Sequence, residues 1–177
     1  MSSSLGSGSN GNPGRVVISW PVEGFSGYKF GLEHSSSSCT SWVPVQQGTG
    51  SVVGGIHWRT APVVGYTNNA SSTNFSGSLT DPGGGTFLAG SLLGVSNTSS
   101  PVTLNANQFT ELEYTIQSTT FATADTTYCF RVTNNGSITD FVYSVIPSFV
   151  LKAINTGGGG NTENSGSGSN QTGGGAG

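Results

Sequence analysis

TTYCFRVTNNGSITDFVYS, residues 126–144, is the stretch that decides the fold. In an extended chain successive side chains point to opposite faces, so Tyr128, Phe130 and Val132 share one face while Cys129, Arg131 and Thr133 share the other. That alternation is the pattern of a half-buried strand. Its end is marked by Asn135-Gly136, which separates it from a second alternating run, FVYSV at 141–145. Asn and Gly both tolerate positive φ, as a two-residue type I′ turn requires, so a hairpin is predicted here.

The same period continues outward in both directions. Candidate strands are RVVISW (15–20), GYKFGLE (27–33), SWVPV (41–45), VVGGIHWRT (52–60), GTFLAGS (85–91), PVTL (101–104), QFTELEYTIQS (108–118), TYCFRVT (127–133) and SFVLKAI (148–154). Helical periodicity is nearly absent, and turn residues separate the runs at spacings typical of sandwiches and barrels. The expected fold is all-β, an antiparallel β-sandwich.

The ends differ in kind. Residues 1–14 (MSSSLGSGSNGNPG) and 156–177 (TGGGGNTENSGSGSNQTGGGAG) offer almost no side chain able to enter a core, and read as flexible Gly/Ser/Asn-rich linkers around one domain at 15–155. Charged residues are 7% of the chain and the net charge is −3, so solubility must come from hydroxyls and amides. The five Lys and Arg are scattered, which gives no basic stripe for nucleic acid. No apolar run is long enough for a membrane helix.

Several segments together resemble a known kind of module. The strand TTYCFRVTNNG, preceded by the polar corner ATADTT, is similar to the penultimate strand of fibronectin type III and immunoglobulin-like sandwiches, where a tyrosine hydrogen-bonds back across the corner. The order YKFGLEHSSSSCTSWVPV, FTELEYTIQ, TTYCFRVTNNGS and YSVIPSFVL resembles a β-sandwich module repeated in large predicted surface proteins of uncultured bacteria, over roughly residues 27–151. Those motifs are structural and imply no activity. With the hydroxyl-rich composition, the resemblance implies an extracellular setting, in which Cys39 and Cys129 would be joined. Cys129 points away from the Tyr128/Phe130/Val132 face, so the bridge is expected to staple the Ser35–Ser38 loop to the outside of a sheet.

Candidate chemistry is sparse. Glu111 and Glu113 stand i, i+2 on the polar side of their strand, about 7 Å apart, a spacing that an inverting glycosidase uses. Their neighbours Thr115 and Gln117 imply water, so a solvated strand face is expected instead of an acid pair. His34 and His57 would need a third ligand such as Glu33 or Asp81 to hold a metal, and none is expected. A covalent Lys–Asn crosslink would need Lys29 or Lys152 buried beside Glu33 or Glu113; solvent-reaching ammonium groups are the simpler expectation. The sequons at Asn69, Asn74, Asn97, Asn135 and Asn170 are about as many as an Asn-, Ser- and Thr-rich chain produces by chance.

The functional expectation is a non-enzymatic structural or adhesive module at the cell surface or outside the cell, without a cofactor. Its partners would be other surface modules, further copies of itself, or glycans. The alternative is a carbohydrate-binding module whose platform would be Trp20, Trp42, Trp58 and Tyr66, exposed and coplanar. Core filling is the competing role for these rings. The strand Val16, Val17, Ile18 to Trp20, poor in charge, is a candidate for pairing with a neighbouring subunit, as is the last strand from Ser148; pairing of RVVISW inside its own domain is the competing expectation.

Overall fold

The computed structural model describes residues 2–6, 14–20, 24–36, 38–48, 50–75, 81–139, 141, 143 and 146–152, the first two segments by their backbone alone. Every regular element among them is a strand. In chain order these are β1 Ser2–Gly6, β2 Gly14–Trp20, β3 Phe25–Tyr28, β4 Phe30–Ser36, β5 Val43–Pro44, β6 Trp58–Thr60, β7 Thr86–Leu88, β8 Leu92–Leu93, β9 Val102–Leu104, β10 Gln108–Tyr114, β11 Ile116–Ser118, β12 Thr126–Asn134 and β13 Ser148–Leu151. A five-stranded sheet runs β1-β2-β10-β7, with β8 also on β10, and a four-stranded sheet runs β13-β12-β4-β5. Two short pairs, β11-β6 and β3-β9, complete the set.

The turn of the decisive stretch forms as the sequence predicts. Asn135 and Gly136 both have positive φ, 48° and 82°, and Asn134 and Ser137 exchange backbone hydrogen bonds of 2.9 and 2.8 Å. The run expected at 141–145 lies largely outside the described residues. Several expected strands are broken. GYKFGLE divides at Lys29 into β3 and β4, which join different sheets, and QFTELEYTIQS divides at Thr115, where the chain leaves β10 to pair β11 with β6. In VVGGIHWRT only Trp58–Thr60 is strand.

Two strand pairings depart from the antiparallel expectation. β7 and β8 both run parallel to β10. The chain between them crosses to another sheet as β9, and a return from such a crossover arrives in the parallel sense. Residues 1–14, expected as a linker, contain β1, which pairs antiparallel with β2 from Ser2↔Ser19 to Gly6↔Arg15. A ladder uses backbone groups, so a Ser-rich segment can supply one without apolar side chains. The 156–177 stretch lies outside the described residues.

The core draws on both larger sheets. Leu112 and Tyr114 of β10 share one apolar cluster with Phe30 and Leu32 of β4 and with Tyr128, Phe130 and Val132 of β12. Each such side chain, fully buried, contributes on the order of 1.5–3 kcal/mol. The Tyr114 hydroxyl donates to the Phe30 carbonyl at 3.0 Å, tying the sheets together through a polar group inside the core. Burial of that phenol pushes its pKa well above the ordinary value.

Candidate functional site

β12 and β4 present the chemistry-bearing side chains on two opposite faces, because their antiparallel register sets Phe130 against His34 and Arg131 against Glu33. On the outer face, Arg131 Nε donates to Glu33 Oε2 at 2.7 Å, and the Trp42 ring lies over the guanidinium at 4.3 Å. Here too the Cys39–Cys129 disulfide forms, with Cα atoms 5.5 Å apart across 90 residues of sequence. Cys129 is opposite Ser35, so the bridge ties the loop after β4 to the centre of the sheet on the side away from Tyr128 and Phe130. Tyr143 closes this face by donating its hydroxyl to the Val132 carbonyl. Burial outweighs the nearby Arg131 and pushes the Tyr143 phenol up to about 12.

On the inner face His34 meets His57, which comes from the coil before β6, with ring centroids 5.6 Å apart. Tyr128, Phe130 and Trp58 surround the pair: His57 lies 5.5 Å from Tyr128 and His34 lies 6.5 Å from Phe130. Trp58 packs edge-on against both Tyr128 and Phe130. His34 is 2% exposed. That burial, and then the charge of His57, pull its pKa from 6.5 down to about 4. The Tyr128 hydroxyl accepts the Thr123 backbone N–H at 2.9 Å, closing the polar corner ahead of β12.

The carboxylates of β10 overturn the expectation of a wet strand face. Glu111 and Glu113 are 0% and 2% exposed. β10 has a strand on each edge, and the coil at 70–75 crosses its odd-numbered face. There both Glu111 carboxylate oxygens accept the Phe75 amide, at 3.1 and 3.2 Å, while Ser72 Oγ donates to the Glu111 carbonyl at 2.7 Å. Gly90, whose amide donates to Ser72 Oγ, lies so close to β10 that a Cβ at that position would sit 2.1 Å from the Glu111 carbonyl oxygen. The error has a physical source. Residues 61–75 carry no periodicity, so the sequence gives no sign that they fold down as a cover.

The remaining candidates fall as follows. Trp58 is in the core, and Trp42, half-buried, is on the opposite face of β12; these two therefore do not build one flat platform. Tyr66 is half-buried in the 61–75 coil, and the Trp20 side chain is outside the described residues. Val16, Val17, Ile18 and Trp20 lie in β2, whose two edges are taken by β1 and β10, so this strand pairs within its own domain. Lys29 and Lys152 are exposed, and Lys152 Nζ reaches Asp125 at 3.3 Å, so neither is placed for a buried crosslink. Asp81 accepts from the Asn74 side chain and Glu33 is turned to Arg131, so neither joins the two histidines.

Asn68, which no sequence pattern singles out, and Asn97, marked there only as a sequon, hold the coil in place. Asn68 Oδ1 accepts three successive backbone amides, Gly94, Val95 and Ser96, at 3.1, 3.0 and 3.2 Å. Asn97 mimics a strand, accepting the Leu32 N–H at 3.0 Å and donating to the Leu32 carbonyl at 3.1 Å. Its sequon is thus buried in the fold. Nothing in the local pattern distinguishes these Asn residues from exposed ones. No family model, curated protein or solved structure matches this chain.

Proposed function

We propose that this chain is a non-enzymatic structural or adhesive module of an extracellular or cell-surface protein, built as an immunoglobulin- or fibronectin III-like β-sandwich. The observation that carries the reading is the Cys39–Cys129 bridge fixing the loop after β4 to the middle of β12. Such bonds persist in oxidising compartments, and closing so long a loop stabilises a domain that must survive without chaperones. The carboxylates support the same reading, since Glu33 and Glu111 are spent on an ion pair and on a backbone amide that hold the fold.

The surface that would meet other modules is the outer edge of the four-stranded sheet. There β13 has no further strand beside it among the described residues, and Phe149 and Val150 are 41% and 43% exposed. Such an edge is a template for pairing with another chain. The test is location. An antibody raised against the folded domain labels intact source cells, and the protein recovered under thiol-blocking conditions carries no free thiol. Signal only after permeabilisation, or two alkylated cysteines, would reject the proposal.

A further inference from the structure

We infer that His34 and His57 form a two-imidazole binding site for a copper ion. The two residues come from separate segments, β4 and the coil before β6, and the fold brings their rings to a centroid separation of 5.6 Å. Three of the four ring nitrogens, both of His34 and Nδ1 of His57, are buried without a hydrogen-bond partner. Buried polar groups are nearly always satisfied, and each one left bare costs about 1–3 kcal/mol. One ion takes a single nitrogen from each ring, so the pair offers it two donors, one from His34 and one from His57.

The separation fits one shared ion. An imidazole nitrogen binds such a metal at about 2.0–2.1 Å. Adding about 1.1 Å from nitrogen to ring centre puts the ion roughly 3.2 Å from each centroid. Two rings on one ion then stand about 5.2 Å apart at a tetrahedral angle and about 6.4 Å apart when collinear. The observed separation lies inside that range.

The surroundings select the ion. Glu33, the nearest carboxylate in sequence, points to the other face of β4 and is held by Arg131, so it does not join the pair as an oxygen donor. Imidazole nitrogens suit zinc, nickel and copper, and copper binds most tightly of the divalent first-row series. Among the described residues no group of three or more His, Cys, Asp or Glu is gathered, so a closed zinc site is not on offer. A copper ion on two imidazoles can take water in its other positions through the side where His57 is half-exposed.

The test titrates the chelator-treated, disulfide-intact full chain with copper(II) chloride in a non-coordinating buffer. Tryptophan fluorescence and electron paramagnetic resonance are the readouts. Saturation at one ion per chain is expected, with quenching of Trp58, which follows His57 directly, nitrogen hyperfine structure from two imidazoles, and at least tenfold weaker binding of zinc. His57→Gln, at a half-exposed position, should keep the fold and weaken copper at least tenfold. His34→Gln should do the same, its circular dichroism reporting that it folds; should it not fold, the His57 variant decides. Absence of saturable binding, or a His57→Gln protein that binds copper as tightly as the parent, overturns the inference.

Discussion

Acid should destabilise this protein in a window set by one side chain. His34 has an ordinary pKa of 6.5 and a folded value of about 4, because burial disfavours its charged form and His57 adds to the effect. Above about pH 6.5 the ring is neutral in both states and contributes no pH dependence. Between 6.5 and about 4 the unfolded chain takes up a proton that the folded chain does not, so stability falls as pH falls. Below about 4 both states are protonated and the loss is complete. A difference of roughly 2.5 units corresponds to about 3 kcal/mol, which for a domain of this size lowers the melting temperature by roughly 10 °C. The assay is urea denaturation of metal-free protein at half-unit steps from pH 7.5 to 4, comparing parent with His34→Leu. Carboxylates titrate at the acid end in both proteins and cancel in the difference. The parent curve should drop below the variant curve as pH falls, with the gap growing through the window. Parallel curves, or a His34 ring resonance that titrates near 6.5, would refute the reasoning.

Other perturbations follow from the same contacts. Reducing the Cys39–Cys129 bridge should add 2 hydrogens, about 2 Da, and lower stability by roughly 4–5 kcal/mol in the chain-entropy account, read from thermal melts with and without reductant. Asn68→Ala strips an acceptor from three amides and Asn97→Ala leaves the Leu32 N–H bare, so each should cost about 2–3 kcal/mol by chemical denaturation. Glu111→Gln exchanges one of the two carboxylate oxygens that accept the Phe75 amide for an NH2 donor, and should cost about 1–3 kcal/mol in urea midpoint instead of acting as a silent surface change. Val150→Lys should abolish any self-association seen by sedimentation at high concentration while changing stability by less than about 1 kcal/mol.

What was legible in the sequence was the part governed by local rules. Alternation along β12 placed Tyr128, Phe130 and Val132 inward, and the Asn135-Gly136 turn followed from the φ angles those residues tolerate. The side on which the disulfide lies came from the same alternation, although the pairing itself rested on compartment and resemblance. What was not legible was set by elements far apart in sequence. The breaks at Lys29 and Thr115 occur where the chain changes sheets, and alternation runs through both unbroken. The parallel arrival of β7 and β8 depends on a crossover that no short window contains. The histidines showed no relation in sequence, since His34 reaches His57 only through the docking of the 52–57 coil on β4 and β12.

The composition itself changes meaning once the contacts are known. A chain with 7% charged residues and abundant Ser, Thr and Asn reads as one whose polar groups serve the surface. Yet Ser72, Asn97, Ser99, Thr60, Thr115 and Thr119 are buried, and each bonds a backbone group: Thr60 and Thr119 donate to Val95 and Ile56 carbonyls at 2.7 and 2.6 Å, and Ser99 accepts the Phe30 amide at 3.0 Å. The strands of this fold are short, so much of the buried backbone runs outside ladders and has no strand partner to satisfy it. Short neutral polar side chains supply the missing donors and acceptors, without the desolvation cost that buried charges would add. Scarcity of charge and abundance of hydroxyl and amide groups are therefore two sides of one requirement. A coil-rich β domain needs its polar side chains inside, and substituting them should cost more than substituting the exposed apolar residues Val64 or Phe121 on its surface.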